Sequence, residues 1–245
     1  MMVDFHAHIW HNDDDGDRCA DAARVHGVDR VCISGIKSHV PDLDEVKRLN
    51  DLVHEAVRGH PDRLIGFAYV NPRHGAEALA EMERCFGELG MRGLKLWVSC
   101  YADDPGVDPI VERAGELGVP VLQHAWRKWT GNLPTESDPV HVARMADKHP
   151  DVPIVMAHAG GDWEYGVKAI RDAPNVCVDT SGSIAHDGFI EFCVAELGAE
   201  RVIWGTDMPG ADLLYALHKV TGAQISEEAK SLILGGNARR LLRLD

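Results

Sequence analysis

Val3-Asp4-Phe5-His6-Ala7-His8 begins a rhythm that runs the length of the chain. The apolar run MVDFHA (2–7) is followed by DRVCISG (29–35), RLIGFAYV (63–70), RGLKLWV (92–98), VPVLQHA (119–125), VPIVMAHA (152–159), NVCVDTSG (175–182) and RVIWGTD (201–207). Such short, β-branched runs read as buried strands. Between them, 42–61, 75–90, 105–118 and 138–150 carry apolar residues at i, i+3 and i+4, acidic residues near their starts and Gly or Pro at their ends. That is helical patterning with its stop signals. Strands apolar on both faces and alternating with helices imply a parallel sheet, and eight of them close a barrel. The fold expected is therefore α/β: a single (β/α)8 TIM barrel. No low-complexity linker interrupts the rhythm, so residues 1–245 are expected to form one metal-dependent barrel domain.

The bulk properties narrow the function. With 45% hydrophobic and 26% charged residues the 245-residue chain is ordinary for a globular protein. A net charge of -14 argues against nucleic acid as a partner, since phosphate binding relies on Lys/Arg stripes. No apolar run approaches the ~20 residues needed to cross a bilayer. MMVDFHAH enters a strand at once, without the regions of a signal peptide, so a cytoplasmic protein is expected. Six cysteines with no C-x-x-C pair read as buried free thiols. A small-molecule substrate is expected; a homo-oligomer is compatible with this size, though no patch indicates one.

Chemistry enters at the strand tips. His6 and His8, His124, His158 and Asp207 close four different runs, and barrel strands bring such tips to one mouth. Alternation along a strand places Asp4, His6 and His8 on one face and Val3, Phe5 and Ala7 towards the helices. It likewise groups Leu122 with His124, Ile154 and Met156 with His158, and Ile203 and Gly205 with Asp207. A lone histidine is more often a satisfied core residue. Several imidazoles with a carboxylate, leaving one position for water, are the make-up of catalytic Zn²⁺, although Fe, Mn and Co accept the same donors.

His6-Ala7-His8 on the first strand, the histidines ending the fifth and sixth and Asp207 ending the eighth resemble the amidohydrolase superfamily. GTDMP (205–209) and GGNARRLLRL (235–244) are similar to its amidohydrolase-related branch, which includes enzymes like aminocarboxymuconate-semialdehyde decarboxylase. The resemblance spans the chain and implies a distorted barrel of the amidohydrolase type. It also implies His6, His8, His124 and Asp207 as metal ligands, with His158 and Asp207 as catalytic groups. Lys95 lies where some amidohydrolases carry a carboxylated lysine bridging two metals. One ion, Zn²⁺ before others, is expected if Lys95 is unmodified, and two if it is carboxylated. An unmodified Lys95 would neutralise a substrate carboxylate, or pair with Asp4 or Asp179 inside the barrel.

The leading expectation is a hydrolase. The ion lowers the pKa of its water, Asp207 takes the proton, His158 polarises the carbonyl or shuttles a proton, and a C–O or C–N bond breaks in a small carboxylate-bearing molecule. Non-oxidative decarboxylation on the same site is the alternative. A phosphoesterase or nuclease and a non-catalytic metal-binding barrel follow behind. Substrate contacts are expected from loops after the strands, chiefly Trp10, Arg73, Trp97, Trp126, Arg127 and Trp129, with Lys37 and Ser181 as further candidates. Arg127 and Lys128 between two indoles would hold a carboxylate, unless those cations are solvated.

Two motifs read as decoys. Asn12–Asp17 fails the calcium-loop pattern, with His11 and Ala22 at its first and twelfth positions, and reads as a solvated loop. The tail reads as two helical pieces broken at Gly235-Gly236, with Asn237 as an N-cap.

Overall fold

The computed structural model describes residues 1–244; Asp245, the last residue of the expected domain and tail, lies outside the described residues. Eight strands form one parallel sheet in sequence order: β1 (Val3–Ile9), β2 (Arg30–Gly35), β3 (Leu64–Tyr69), β4 (Gly93–Leu96), β5 (Val121–Gln123), β6 (Ile154–Met156), β7 (Val176–Asp179) and β8 (Val202–Ile203). Beyond β8 the chain stays against β1, with Phe5 N donating to Trp204 O, Asp207 N to His6 O and His8 N to Met208 O. These bonds bring the first and last strands together as a (β/α)8 barrel. The helices are α1 (Asp15–Val25), α2 (Leu43–Gly59), α3 (Ala76–Gly87), α4 (Asp108–Leu117), α5 (Pro139–Lys148), α6 (Trp163–Ala169), α7 (Phe189–Leu197), α8 (Leu213–Thr221), α9 (Glu227–Ser231) and α10 (Asn237–Leu242). Asp42, Asp138, Asp212 and Ser226 each accept a backbone N–H at a helix start, as short polar side chains do there.

Two apolar layers result. Ile9, Ile33, Leu94, Ile154, Val178 and Trp204 face outward into a core shared with the helices. Val3, Phe5, Cys32, Ile65, Phe67, Leu122, Val155, Cys177 and Ile203 form a second cluster, which Ala238 and Leu242 of α10 join. Since seven strands contribute, this cluster fills the barrel interior. It also corrects the expectation that Val3 and Phe5 face the helices. The β1–β2 register steps from Asp4↔Val31 to Ala7↔Ile33, three residues against two. The extra residue is a bulge, which resets the alternation, so Phe5 points inward below and His6 points inward above. Asp4 holds the bulge by accepting His6 N (3.0 Å), Thr206 N (3.0 Å) and Thr206 Oγ1 (2.6 Å).

The same correction applies to β6. Ile154 and Met156 face outward with Val155 inside, yet His158 is in the site because the chain turns after Met156, with φ of 57° at His158 and 43° at Ala159.

The tail also departs from expectation. Gly235-Gly236 does not break the helix; Leu232–Gly236 forms a π-helical turn leading straight into α10. Asn237 is no N-cap, since its buried side chain donates to Ala199 O (2.7 Å) and Val202 O (2.8 Å), tying α10 to β8. Asn237→Ala would leave Val202 O unpaired and Ala199 O with only the Val202 N–H, a cost of about 1–3 kcal/mol. The expected result is a thermal midpoint lower by on the order of 5 °C, and an unchanged midpoint by calorimetry would contradict this placement.

The decoy loop also has an architectural role. Asp15, expected in a solvated stretch, is buried at the start of α1 and accepts the N–H groups of Trp10, His11 and Asn12.

Candidate active site

At the C-terminal mouth, His6 Nε2 lies 2.9 Å from His8 Nε2 and 3.7 Å from Asp207 Oδ1, and His8 Nε2 lies 3.3 Å from the same oxygen. One ring nitrogen of His158 joins His6 and Asp207 in a group whose donor atoms all lie within 4.8 Å. His124 is next to this group, its ring centroid 5.1 Å from that of His158. All are buried or nearly so. His158 and Asp207 both adopt positive φ, 57° and 69°. Such backbone costs of order 1–3 kcal/mol per residue. It is held by His158 N donating to Asp179 Oδ1 (2.8 Å) and Asp207 N to His6 O (2.7 Å).

Each imidazole has one nitrogen engaged by an outer partner. His6 Nδ1 meets Asp179 Oδ2 at 2.7 Å, His8 Nδ1 meets Ser34 Oγ at 2.9 Å, His158 Nδ1 meets Ser181 Oγ at 2.9 Å, and His124 Nε2 meets Glu136 Oε1 at 3.0 Å. Among the described residues the other nitrogen of His8, His124 and His158 has no such outer partner, and that of His6 faces His8 and Lys95. Outer hydrogen bonds of this kind fix the tautomer and aim of a metal-binding histidine. Burial drives His8 down to about 3, lowers His124 and keeps His158 well below the usual imidazole range. These rings are neutral near pH 7, the form that binds a cation. Burial alone would raise Asp207, but His158, His8 and His6 hold it below the ordinary carboxylate range. The donor set therefore fits a divalent ion.

Lys95 is buried, with Nζ 3.0 Å from His6 Nε2. Burial lowers its ammonium to about 8, against the pull of Asp207 and Asp179. It is paired with neither Asp4 nor Asp179: Asp4 bonds Thr206, and Asp179 bonds His6 and Ser181.

The expected substrate contacts divide. Trp126 lies 4.9 Å from His158, Trp10 6.5 Å from His8, and Trp97 6.3 Å from Trp10, measured between ring centroids. These three indoles flank the mouth. Arg73 instead donates from Nε to Ser99 O (2.7 Å). Arg127 sits over the Tyr165 ring at 3.9 Å and pairs with Asp138 at 3.4 Å. Trp129 is 96% exposed. The proposed carboxylate clamp of Arg127 and Lys128 is not formed, because Lys128 Nζ contacts both Glu136 oxygens at 2.7 Å. His124 and Lys128 hold Glu136 at about 2, although its burial acts in the opposite direction.

Ser34 and Glu136 were not legible as site residues. Glu136 lies twelve residues beyond His124, and only the course of the intervening loop brings it back.

An Amidohydrolase family model matches residues 3–244, nearly the whole chain. The chain belongs to the amidohydrolase family. This amidohydrolase is 26% identical over 248 residues to a 2-amino-3-carboxymuconate-6-semialdehyde decarboxylase of Dictyostelium discoideum, covering 83% of the chain and 67% of the relative. It is 25% identical over 278 residues to a gamma-resorcylate decarboxylase of Rhizobium sp., covering 90% and 85%. The fold superposes on a Rhizobium 2,6-dihydroxybenzoate decarboxylase with a TM-score of 0.83, 21% identity and coverage of 100% and 99%. A dihydroxybenzoic acid decarboxylase from Polaromonas, solved with bound manganese, gives 0.79 at 21% identity, covering 99% and 97%. At these identities the structural likeness shows the fold alone. Among the described residues no helix is long and apolar enough to cross a membrane.

Proposed function

We propose that this amidohydrolase is a metal-dependent, non-oxidative decarboxylase of a small planar carboxylic acid, aromatic or conjugated. The carrying observation is the set of buried, outer-bonded imidazoles converging with Asp207 beside three indoles. The two curated relatives described above, at 25–26% identity, are decarboxylases, which supports this alternative above the hydrolytic cleavage that the ligand pattern first suggests.

His6, His8, His124 and Asp207 would hold the ion, and both Zn²⁺ and Mn²⁺ suit such donors. The bound ion supplies Lewis-acid chemistry at substrate oxygens. The chain's own groups do the rest. Trp10, Trp97 and Trp126 give flat apolar walls that receive a planar acid and exclude water. Lys95, buried beside His6, would balance the substrate's charge. Loss of CO₂ requires a proton to arrive at the carbon bearing the carboxylate. The C–C bond then breaks and its electron pair returns to the conjugated system. His158, its Nδ1 fixed by Ser181, and Asp207 beside it are the groups able to hold and pass that proton.

A screen of hydroxybenzoates and conjugated enoic acids against protein loaded with Zn²⁺ or Mn²⁺ is expected to find one class that releases CO₂. Release of lactone- or amide-cleavage products with no CO₂ from any acid would contradict the proposal. One ion per chain with an unmodified Lys95 is expected from metal analysis and intact mass; two ions and a mass gain of one carboxyl would instead favour a bridged pair. Glu136→Gln removes the charge that orients His124. The expected result is retention of the ion weakened by about 10–100-fold, read by chelator competition; wild-type retention would count against the role given to Glu136.

A further inference from the structure

The end of β7 and the turn after it carry two of the site's outer partners, Asp179 and Ser181, and the turn is held from behind by α8. Ser181 Oγ touches Asp179 Oδ1 (2.5 Å), His6 Nδ1 (3.0 Å) and His158 Nδ1 (2.9 Å). Gly182, with φ of 76°, lies against the His158 ring, where an added Cβ would come within 2.9 Å of Nδ1 and 3.4 Å of Trp126. Residues 181–182 therefore form the floor on which His158 rests. The carbonyls on either side of Ser181 point away from the site. Lys219 Nζ donates to both, at 2.5 Å from Thr180 O and 3.0 Å from Gly182 O. One helical turn earlier, Tyr215 donates its hydroxyl to Ser183 O at 3.0 Å. Lys219 forms no ion pair with a carboxylate among the described residues; its ammonium is spent on this turn.

We propose that Lys219 is a positioning residue for the active site, clamping the Thr180–Gly182 turn so that Ser181 and Gly182 hold His6 and His158 in their working orientation. It touches neither the candidate ligands nor the indole walls. Charge-assisted bonds to two carbonyls are stronger than neutral ones, so one side chain can fix the outer side of a turn whose inner side is tied by Thr180 N to Ile203 O (3.0 Å) and Gly182 N to Thr206 O (3.3 Å). The prediction for catalysis and ion retention rests on the proposed metal-dependent reading; the clamp itself does not.

The test compares wild type with Lys219→Met, which keeps the aliphatic stem, and Lys219→Arg, which keeps a cation. Amide exchange by mass spectrometry is expected to rise about tenfold in the peptide covering 180–183 of Lys219→Met and to be unchanged in β1–β5. Zn²⁺ release to a chelator is expected to quicken by about 10–100-fold, the range seen when outer partners are lost. On the substrate found by screening, kcat falls by a similar factor while KM stays within about threefold, and Lys219→Arg recovers most of each change. Exchange at 180–183 equal to wild type in Lys219→Met overturns the clamp. Should that variant not fold, Lys219→Gln, a shorter neutral donor, is expected to show the same local rise, and wild-type exchange there overturns it equally. A wild type that retains no Zn²⁺ or Mn²⁺ sinks the metal-dependent reading, while the exchange comparison still decides on Lys219. A wild type that retains the ion beside an unaltered Lys219→Met rejects Lys219 and leaves that reading standing.

Discussion

His158→Asn is expected to lower kcat by about 10²–10⁴-fold, the range that a positioned proton-transfer group supplies, with the fold intact and the ion retained. The reason is the ring's placement. Its Nδ1 is occupied by Ser181, its other nitrogen has no outer partner among the described residues, and its backbone is held in the left-handed region by Asp179. Burial keeps the imidazole far below its usual range, so it stands neutral near pH 7 and holds an added proton only transiently. Asparagine approximates the side-chain shape and tolerates positive φ better than most residues, so the loss should be chemical. Steady-state kinetics beside a thermal midpoint provides the check. A variant retaining more than about a tenth of wild-type kcat, or one that loses its ion, would remove His158 from the proton-transfer role.

His8→Ala is the second large effect. His8 Nε2 meets both His6 Nε2 and Asp207 Oδ1, so its removal opens the tightest part of the donor group. Losing an outer partner typically costs about 10–100-fold in metal affinity; losing this donor should exceed that and leave dialysed protein without ion. Turnover is then expected at background, with partial return in excess Zn²⁺ or Mn²⁺. Full occupancy in dialysed His8→Ala would take His8 out of the ligand set.

The barrel was legible because eight apolar runs and their intervening helices obey two clean periods. The convergence of His6, His8, His158 and Asp207 was legible, since each lies in the C-terminal part of a strand or in the few residues beyond it, and the structure gathers them at one mouth. What escaped were departures from regular geometry. Alternation alone assigns Val3 and Phe5 to the helices, but the bulge between Asp4 and Ala7 reverses them. It also groups Ile154 and Met156 with His158, whereas the positive φ at His158 turns the ring across to the other face. Glu136 and Ser34 carry no local signal, because their partners are distant in sequence. Arg127 and Lys128 looked like a substrate clamp because sequence does not reveal that Asp138 and Glu136 fold back to neutralise them. The tail misled for a related reason: a glycine pair usually ends a helix, yet here a π-helical turn carries the chain through and frees Asn237 to join β8.

The decisive measurement is nuclear magnetic resonance of ion-loaded protein acting in D₂O on a planar acid labelled with ¹³C at its carboxylate. The proposed chemistry predicts labelled CO₂ in step with a product carrying one deuterium at the carbon that lost the carboxyl. A product that keeps the labelled carboxylate and gains solvent oxygen would contradict it and return the site to hydrolysis.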